Sequence, residues 1–453
     1  MSFLTDLISS ISQRGRELVE QAQWVGGRRD LPPVADMCEA LLSSRGEASG
    51  VALATIILDR YALMDDAEKC TFLCMLVDRF GADEDGLKQA IATYQTSPDH
   101  QNLMALHQAA EPRRQELIRR LNLSSGGTQN LVRMREDLFR SEKTHPGLAA
   151  LDADFRHLFS SWFNRGFLVL RPIDWQTPAN ILEKIIRYEA VHAIKSWDDL
   201  RSRLAPPDRR CFAFFHPQIV DDPLIFVEVA LTADIPASIT DVLREERVPL
   251  DPKKATTAVF YSISNCQEGL RGISFGNFLI KQVVEELTRQ GFGLKTFVTL
   301  SPVPGFAAWL GRERKQAESG FVTPELKQSL DLLDDPAWAV NPVSVELLTP
   351  LLHGLAARYL LQSRSVSGRV IDPVARFHLG NGARLERINV MADPSPKGLA
   401  QAHAVMVNYL YDLDMIEANH EAFSNKNEVV ASSGVRQLLR HKAPRETRNS
   451  HLL

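Results

Sequence analysis

The chain has 453 residues, 44% of them hydrophobic and 24% charged, with a formal net charge of −4. That length predicts two or three domains with sizeable cores. The charge balance gives no reason to expect a nucleic-acid partner, and no apolar run approaches the roughly 20 residues that span a bilayer, so no membrane association is expected.

The N-terminus, MSFLTDLISSISQRGRELVEQ, carries Asp6, Glu17 and Glu20 and lacks the apolar core of a signal peptide. It reads as an amphipathic first helix. Residues 1–165 as a whole read as helical. Ile56, Ile57, Leu63, Phe72 and Leu76 recur at helical spacing, as do Leu103, Leu106, Leu117 and Leu121, and Ser/Gly/Pro breaks separate the segments. The expectation is an all-helical bundle domain with a structural or oligomerisation role, since no acid, base or nucleophile cluster stands out. The five cysteines (Cys38, Cys70, Cys74, Cys211, Cys266) form an odd, scattered set, as in a reducing compartment. Cys70 and Cys74 share a helix face; without a second ligand pair nearby they read as small buried hydrophobes, and no metal site is expected.

The pattern changes at WFNRGFLVLRPI, Trp162–Ile173, and a second domain is taken to run over 166–453. CFAFFHP (Cys211–Pro217), PLIFVEVALT (Pro223–Thr232), AVFYSIS (Ala258–Ser264) and KTFVTL read as strands. Between the last two lies NCQEGLRGISFG, with Gly269, Gly272 and Gly276, and then a helix from Asn277 to about Arg289 whose buried face is Leu279, Val283, Val284 and Leu287. Strands followed by a loop–helix–strand crossover give a mixed α/β domain, and the chain as a whole is α+β. Further on, 317–353 reads as helix and turn, Gly354–Ser363 as helix, Ala383–Met391 as strand, Gly398–Met415 as helix, and the polar, basic stretch from about Ala422 as a solvated, partly disordered terminus. His192 is expected on a helix and His216 at a strand end, both structural.

A glycine-bearing loop that feeds a helix start presents backbone N–H groups to an anion such as pyrophosphate. Neither a Gly-Lys-Ser/Thr ending nor the G-x-G-x-x-G spacing is present, so this is neither the nucleotide P-loop nor the dinucleotide fingerprint. Arg271-Gly-Ile-Ser-Phe-Gly276 resembles the R/Q-x-x-G-x-G/A loop with which GNAT acetyltransferases hold coenzyme A, with Ser274 at the fourth position in place of Gly. An ordinary strand–helix connection is the alternative.

The wider blocks FYSIS, GLRG, FLIK and TLSPVPGF resemble the malonyl-CoA decarboxylase family, as do IRYEAVHAIKSWDDLRSRL upstream and NPVSVELLTP and DPVARFHLGNGARLERINVMAD downstream, in the family's order. The resemblance is strong over roughly 166–411 and looser before it. It implies a helical N-terminal domain that mediates subunit contacts in a dimer or tetramer, and a GNAT-like catalytic domain in which two central parallel strands splay around coenzyme A. It implies conversion of malonyl-CoA to acetyl-CoA and CO2. The thioester itself is the electron sink, so no cofactor is expected beyond the coenzyme A of the substrate.

The same resemblance makes Ser301, in TLSPVPGF, and His378, in ARFHLGNGA, the catalytic pair. Pro302 holds Ser301 extended, and no G-x-S-x-G elbow supports a serine hydrolase. His378 is either the proton donor or the group that binds the malonyl carboxylate, and Ser301 orients carboxylate or enolate; the sequence leaves these roles open. Asn381 and Asn389 could assist or could serve turns and packing. Coenzyme binding falls to Arg271, Gly272, Ile273, Ser274, Phe275, Gly276 and Asn277, although the Arg271 side chain could equally face solvent. The C-terminus, His451-Leu-Leu, differs from the Ser-Lys-Leu ending of animal members, so a cytoplasmic, bacterial protein is expected. The competing reading is an acyl-CoA-dependent acyltransferase on the same fold.

Overall fold

The computed structural model describes residues 32–43, 47–273 and 279–440. The chain divides into two compact units. The first comprises 1–169 with the excursions 215–223 and 267–275; the second holds the rest. The proposed N-terminal first helix lies outside the described residues, as does the tail beyond 440.

The first unit is helical, as its apolar periodicity predicts. Its helices are α1 (Val34–Leu42), α2 (Glu47–Leu63), α3 (Asp66–Arg79), α4 (Glu84–Thr96), α5 (His100–Ala110), α6 (Arg113–Asn122), α7 (Gly127–Ser141) and α8 (Ala149–Trp162). Helix α3 starts on a full capping box: Asp65 accepts from the Glu68 N–H, and the Glu68 side chain accepts from the Asp65 N–H. The core is built from Ile57 and Leu58 of α2, Phe72, Leu73 and Leu76 of α3, Leu117, Ile118 and Leu121 of α6, and Phe155 and Phe159 of α8. Not all the periodic residues go inside. Leu63 and Leu103 are exposed, and α4 and α5 bury nothing. Those two helices pack mainly on each other, so their apolar residues satisfy the helical period without reaching the core.

Buried polar groups of this unit meet specific partners. Arg114 donates to Asp154 at 2.5 Å, and Tyr61 donates to Asp137 at 3.1 Å. All five cysteines are free thiols; Cys38, Cys211 and Cys266 are buried, and Cys70 and Cys74 only half so.

The second unit is built on a mixed sheet of β1 (Val169–Ile173), β2 (Arg209–Phe215), β3 (Ile225–Thr232), β4 (Thr257–Asn265), β5 (Thr296–Thr299), β6 (Ser301–Pro302), β7 (Arg384–Asn389) and β8 (Met406–Leu410). The order is β1-β2-β3-β4-β5-β8-β6, with β7 also on β8. β2–β3 and β3–β4 are antiparallel. β4 and β5 form the central parallel pair expected from the sequence. Their pairing stops at Phe260–Thr299 while β4 runs on to Asn265, so the pair parts at its C-terminal end.

Around the sheet lie α9 (Ala179–Tyr188), α10 (Trp197–Leu204), α11 (Ile239–Leu243), α12 (Leu279–Arg289), α13 (Phe306–Lys315), α14 (Pro324–Leu330), α15 (Pro342–Leu361), α16 (Pro373–Gly380), α17 (Pro396–Ala402), α18 (Ile416–Lys426) and α19 (Ser433–Leu438). α12 buries Leu279, Val283, Val284 and Leu287, the face its spacing predicts, and Gly291 and Gly293 follow it with positive φ. Val259, Tyr261, Val298, Leu300 and Met406 form a core cluster on the sheet.

Three expectations are corrected. Residues 398–415 are not one helix: α17 ends at Ala402, His403 and Ala404 take left-handed backbone, and 406–410 is strand β8. A strand buried on both faces has no alternation, and its apolar run imitates a buried helix. The polar stretch beyond Ala422 is ordered to residue 440. It carries the rest of α18 and α19, and Leu385 and Val430 bond through their backbones at 2.9 Å. His192 lies in the loop between α9 and α10, since α9 ends at Tyr188. Among the described residues no helix is long and apolar enough to cross a membrane.

Candidate active site

Ser301 and His378, 77 positions apart in sequence, meet inside the second unit: Ser301 Oγ lies 3.1 Å from His378 Nε2. Each side chain is delivered by a rigid device. Ser301 opens the two-residue strand β6, which pairs with Val407 and Met406 of β8 and is followed directly by Val303, Pro304 and Gly305 at the head of α13. His378 sits in the last turn of α16. That helix has Pro373 at its first position, and Asp372 caps it by accepting from the N–H groups of Val374 (3.0 Å) and Ala375 (2.9 Å). Asp372 also accepts from Tyr359 at 3.3 Å.

The pair belongs to a chain of four polar groups. Tyr411 Oη is 2.8 Å from His378 Nδ1. Ser301 Oγ donates to Thr299 Oγ1 at 2.8 Å, and Thr299 Oγ1 also accepts from the Tyr409 N–H at 3.1 Å. These bonds fix the tautomer. The one proton of the Ser301 hydroxyl is engaged with Thr299, so His378 Nε2 must carry the hydrogen that points at Ser301 Oγ. Nδ1 is then the acceptor and Tyr411 the donor. Burial pushes the Tyr411 hydroxyl well above its ordinary range, so it keeps the proton it donates.

Aromatic rings enclose the imidazole. Tyr409 stacks on it at 4.7 Å and 23°, and Phe377 meets it edge-on at 5.0 Å. With only 3% of its surface exposed, His378 has its pKa pushed down to about 3 by loss of hydration. It is a neutral imidazole at physiological pH.

The remaining sequence candidates separate. The Asn381 side chain donates to Phe377 O at 2.6 Å and closes α16, and Asn389 donates to Asn408 Oδ1 at 2.7 Å between β7 and β8. Both have the turn and packing roles left open by the sequence. His216 is structural: its ring nitrogens engage Trp162 O and the Gln218 N–H. His192 is half-buried, and loss of hydration pushes its pKa down to about 4.

Of the glycine-bearing loop, Arg271, Gly272 and Ile273 are described and belong to the first unit; Ser274, Phe275, Gly276 and Asn277 lie outside the described residues. The described part is tightly held. Arg135 of α7, 1% exposed, donates to the carbonyls of Gly269 (2.7 Å) and Arg271 (3.0 Å) while pairing with Asp152 at 2.8 Å. A Cβ on Gly269 would stand 2.0 Å from Val132 O, and Gly272 has φ +79°. Both positions therefore require glycine. The Arg271 guanidinium lies 4.2 Å from the Phe139 ring centroid and 3.4 Å from Glu268, on the surface.

Sequence reasoning missed Tyr411, Thr299 and Arg135. A cleft of about 490 Å³ lined by Lys281, Val284, Glu285, Leu413, Asp414 and Glu417 contains neither Ser301 nor His378.

Comparison with known proteins shows the family. The model of the malonyl-CoA decarboxylase C-terminal domain matches residues 166–449, and that of the malonyl-CoA decarboxylase N-terminal domain matches residues 80–163. The mitochondrial malonyl-CoA decarboxylase of Anser anser anser is 35% identical over 401 residues, which cover 82% of this chain and 79% of that protein. Crystal structures of malonyl-CoA decarboxylases from Rhodopseudomonas palustris and Agrobacterium vitis are 57% and 60% identical, both with a TM-score of 0.86. They cover 89% and 90% of this chain and 98% and 99% of theirs. The chain belongs to the malonyl-CoA decarboxylase family.

Proposed function

We propose that this protein converts malonyl-CoA and a proton to acetyl-CoA and CO2, with Ser301 and His378 at the reacting group. The observation that carries the site assignment is the buried Tyr411–His378–Ser301–Thr299 chain around a neutral imidazole. In decarboxylation the bond between the α-carbon and the carboxylate breaks, and its electron pair enters the thioester carbonyl as an enolate. Negative charge leaves the carboxylate, which departs as neutral CO2, and appears on the thioester oxygen. A neutral imidazole does not hold the carboxylate back as an imidazolium would. An N–H or O–H donor in a water-poor site is worth most where charge is growing, on the enolate oxygen.

Delivery of the proton to the α-carbon is assigned to His378, whose Nε2–H is the free-enzyme hydrogen directed into the pair; the imidazolate this leaves takes a proton back from solvent as product departs, which balances the one proton consumed per turnover. The Ser301 proton is engaged with Thr299, and Ser301 orients the carboxylate or enolate once substrate draws its hydroxyl away. The thioester is the electron sink, so the chemistry asks for no cofactor beyond the coenzyme A of the substrate. Backbone amides of 271–277 are assigned to the pyrophosphate; the clamping of Gly269 and Arg271 by Arg135 fixes the start of that loop. Exposed Ile91, Leu103 and Met104 on the α4–α5 pair support a subunit contact through the helical region, to be tested by sedimentation.

The deciding experiment is CO2 release and acetyl-CoA formation from malonyl-CoA by the native chain, His378→Ala and Ser301→Ala. The native chain is expected to turn over, and each folded variant to lose about 100-fold or more. A native chain that binds the thioester and leaves it intact overturns the reading. Acyl transfer to an added amine would mark the acyltransferase alternative, which the comparisons do not favour.

A further inference from the structure

We propose that Cys70, Cys74 and His145 form a binding site for a thiophilic divalent cation of the zinc class, on the helical unit. Cys70 and Cys74 stand one turn apart on α3, so their sulfurs lie on one face of it. His145 comes from a different element, between the end of α7 and the short 3-10 turn Pro146–Leu148. Its backbone is pinned there: the His145 N–H donates to Ser141 O at 3.0 Å, and its carbonyl accepts from Leu148 N–H at 3.0 Å.

The three ligand atoms lie within 4.8 Å of one another, and Cys70 Sγ is 3.4 Å from His145 Nδ1. A tetrahedral zinc ion with Zn–S near 2.3 Å and Zn–N near 2.0–2.1 Å sets sulfur and nitrogen about 3.6 Å apart and the two sulfurs about 3.8 Å apart. The sulfur–nitrogen spacing is thus already close to that of a site, and the rest is within reach of side-chain adjustment. Two cysteines and one histidine make a soft, borderline donor set that selects zinc over calcium or magnesium. His145 is exposed and the cysteines half-buried, so solvent reaches the cluster and can supply the fourth ligand. Thr144 Oγ1 lies 2.9 Å from the same Nδ1 and would release it as the metal binds.

The sequence gives only half of this cluster, a helical Cys-x-x-x-Cys; the histidine follows 71 positions after Cys74 and joins it through the fold.

The test uses the full chain, stripped with chelator and titrated with Zn²⁺ or Co²⁺. One equivalent per chain is expected by elemental analysis. Co²⁺ should give the near-ultraviolet charge-transfer absorption of a cobalt thiolate. Cys70→Ser, Cys74→Ser and His145→Ala should each weaken binding by at least the roughly 10–100-fold that even outer-shell changes cost a metal site. Because a variant could misfold, the unmutated protein supplies a second reading: zinc should shield Cys70 and Cys74 from alkylation. Failure to bind a stoichiometric ion, binding undiminished in all three variants, or isolation of an unshielded Cys70–Cys74 disulfide each overturns the proposal.

Discussion

Tyr411→Phe isolates a single bond in the candidate site. The substitution keeps the ring, and with it the edge-on contacts to His378 (6.1 Å, 69°) and Phe260 (6.4 Å). It removes only the hydroxyl that donates to His378 Nδ1 at 2.8 Å. In a fully enclosed imidazole the acceptor nitrogen then has no replacement donor, and an unmet buried polar group costs about 1–3 kcal/mol. The ring can recover part of this by moving its proton to Nδ1, which empties Nε2 and reverses the bond to Ser301. Either way the Nε2–H form is disfavoured, so kcat should fall about 5–150-fold, since each 1.4 kcal/mol is a factor of ten, with KM much less affected. Steady-state release of CO2 from malonyl-CoA measures the rate, and ¹⁵N-histidine NMR of the free protein reads the tautomer. A folded Tyr411→Phe with native kcat, or with an unaltered Nε2–H signal, would refute the assignment of Tyr411 as the group that sets the imidazole.

Because burial lowers His378 to about 3, the pH profile of kcat/KM, which reports free-enzyme groups, should carry no step from His378 near 6.5; a step there that vanishes in His378→Gln contradicts the burial argument. The same shift has a stability consequence. The folded His378 stays neutral while the unfolded one protonates below 6.5, so the unfolded state binds the extra proton and stability falls as pH drops from 7 towards 3, by about 2 kcal/mol at pH 5 from this group alone. His192 and His403, both lowered to about 4 chiefly by burial, act in the same direction. Urea midpoints at pH 5 and pH 8 test this, and equal midpoints would count against it. Asp372→Ala removes the cap of α16 and the partner of Tyr359, and should cost roughly 0.5–2 kcal/mol in thermal unfolding while lowering kcat through His378. Gly269→Ala drives a Cβ against Val132 O and should displace the loop, raising KM for malonyl-CoA; an unchanged KM would remove that loop from substrate binding.

What the sequence disclosed follows from what kind of signal each residue leaves. The strand–loop–helix–strand unit was legible because its strands are rich in β-branched and aromatic residues and α12 keeps a clean apolar stripe. Ser301 and His378 were legible because they stand in long matching blocks. Tyr411 was lost together with β8. Read as helix, Tyr409 and Tyr411 lie two apart on diverging faces; in an extended chain they lie on one face, and both do meet His378. Arg135 left no mark, because its carbonyl partners are 134 and 136 positions away and backbone acceptors have no sequence identity. The α4–α5 helices mark the opposite failure: apolar periodicity reports a face suited to burial, and it does not say against what.

The position of the candidate pair follows from where the sheet stops being regular. β4 and β5 pair in parallel only as far as Phe260 and Thr299. A carbonyl at the end of that ladder lacks its strand partner, and a buried one needs another. The Thr299 carbonyl receives it from Asn408 Nδ2 at 2.8 Å, a fully buried side chain on β8. Asn408 Oδ1 is in turn held by Asn389 and by Arg387 at 3.1 Å. The Thr299 hydroxyl oxygen, fixed by the Tyr409 N–H, then receives the proton of Ser301 two residues on. The break in the parallel pair therefore does two things at once. It opens the sheet at its C-terminal edge, and it leaves Thr299, whose carbonyl Asn408 satisfies, with a hydroxyl that orients the serine opposite His378. A polar network this deep is stable only when each member is satisfied, and that requirement holds Ser301 in a single direction on a strand of only two residues.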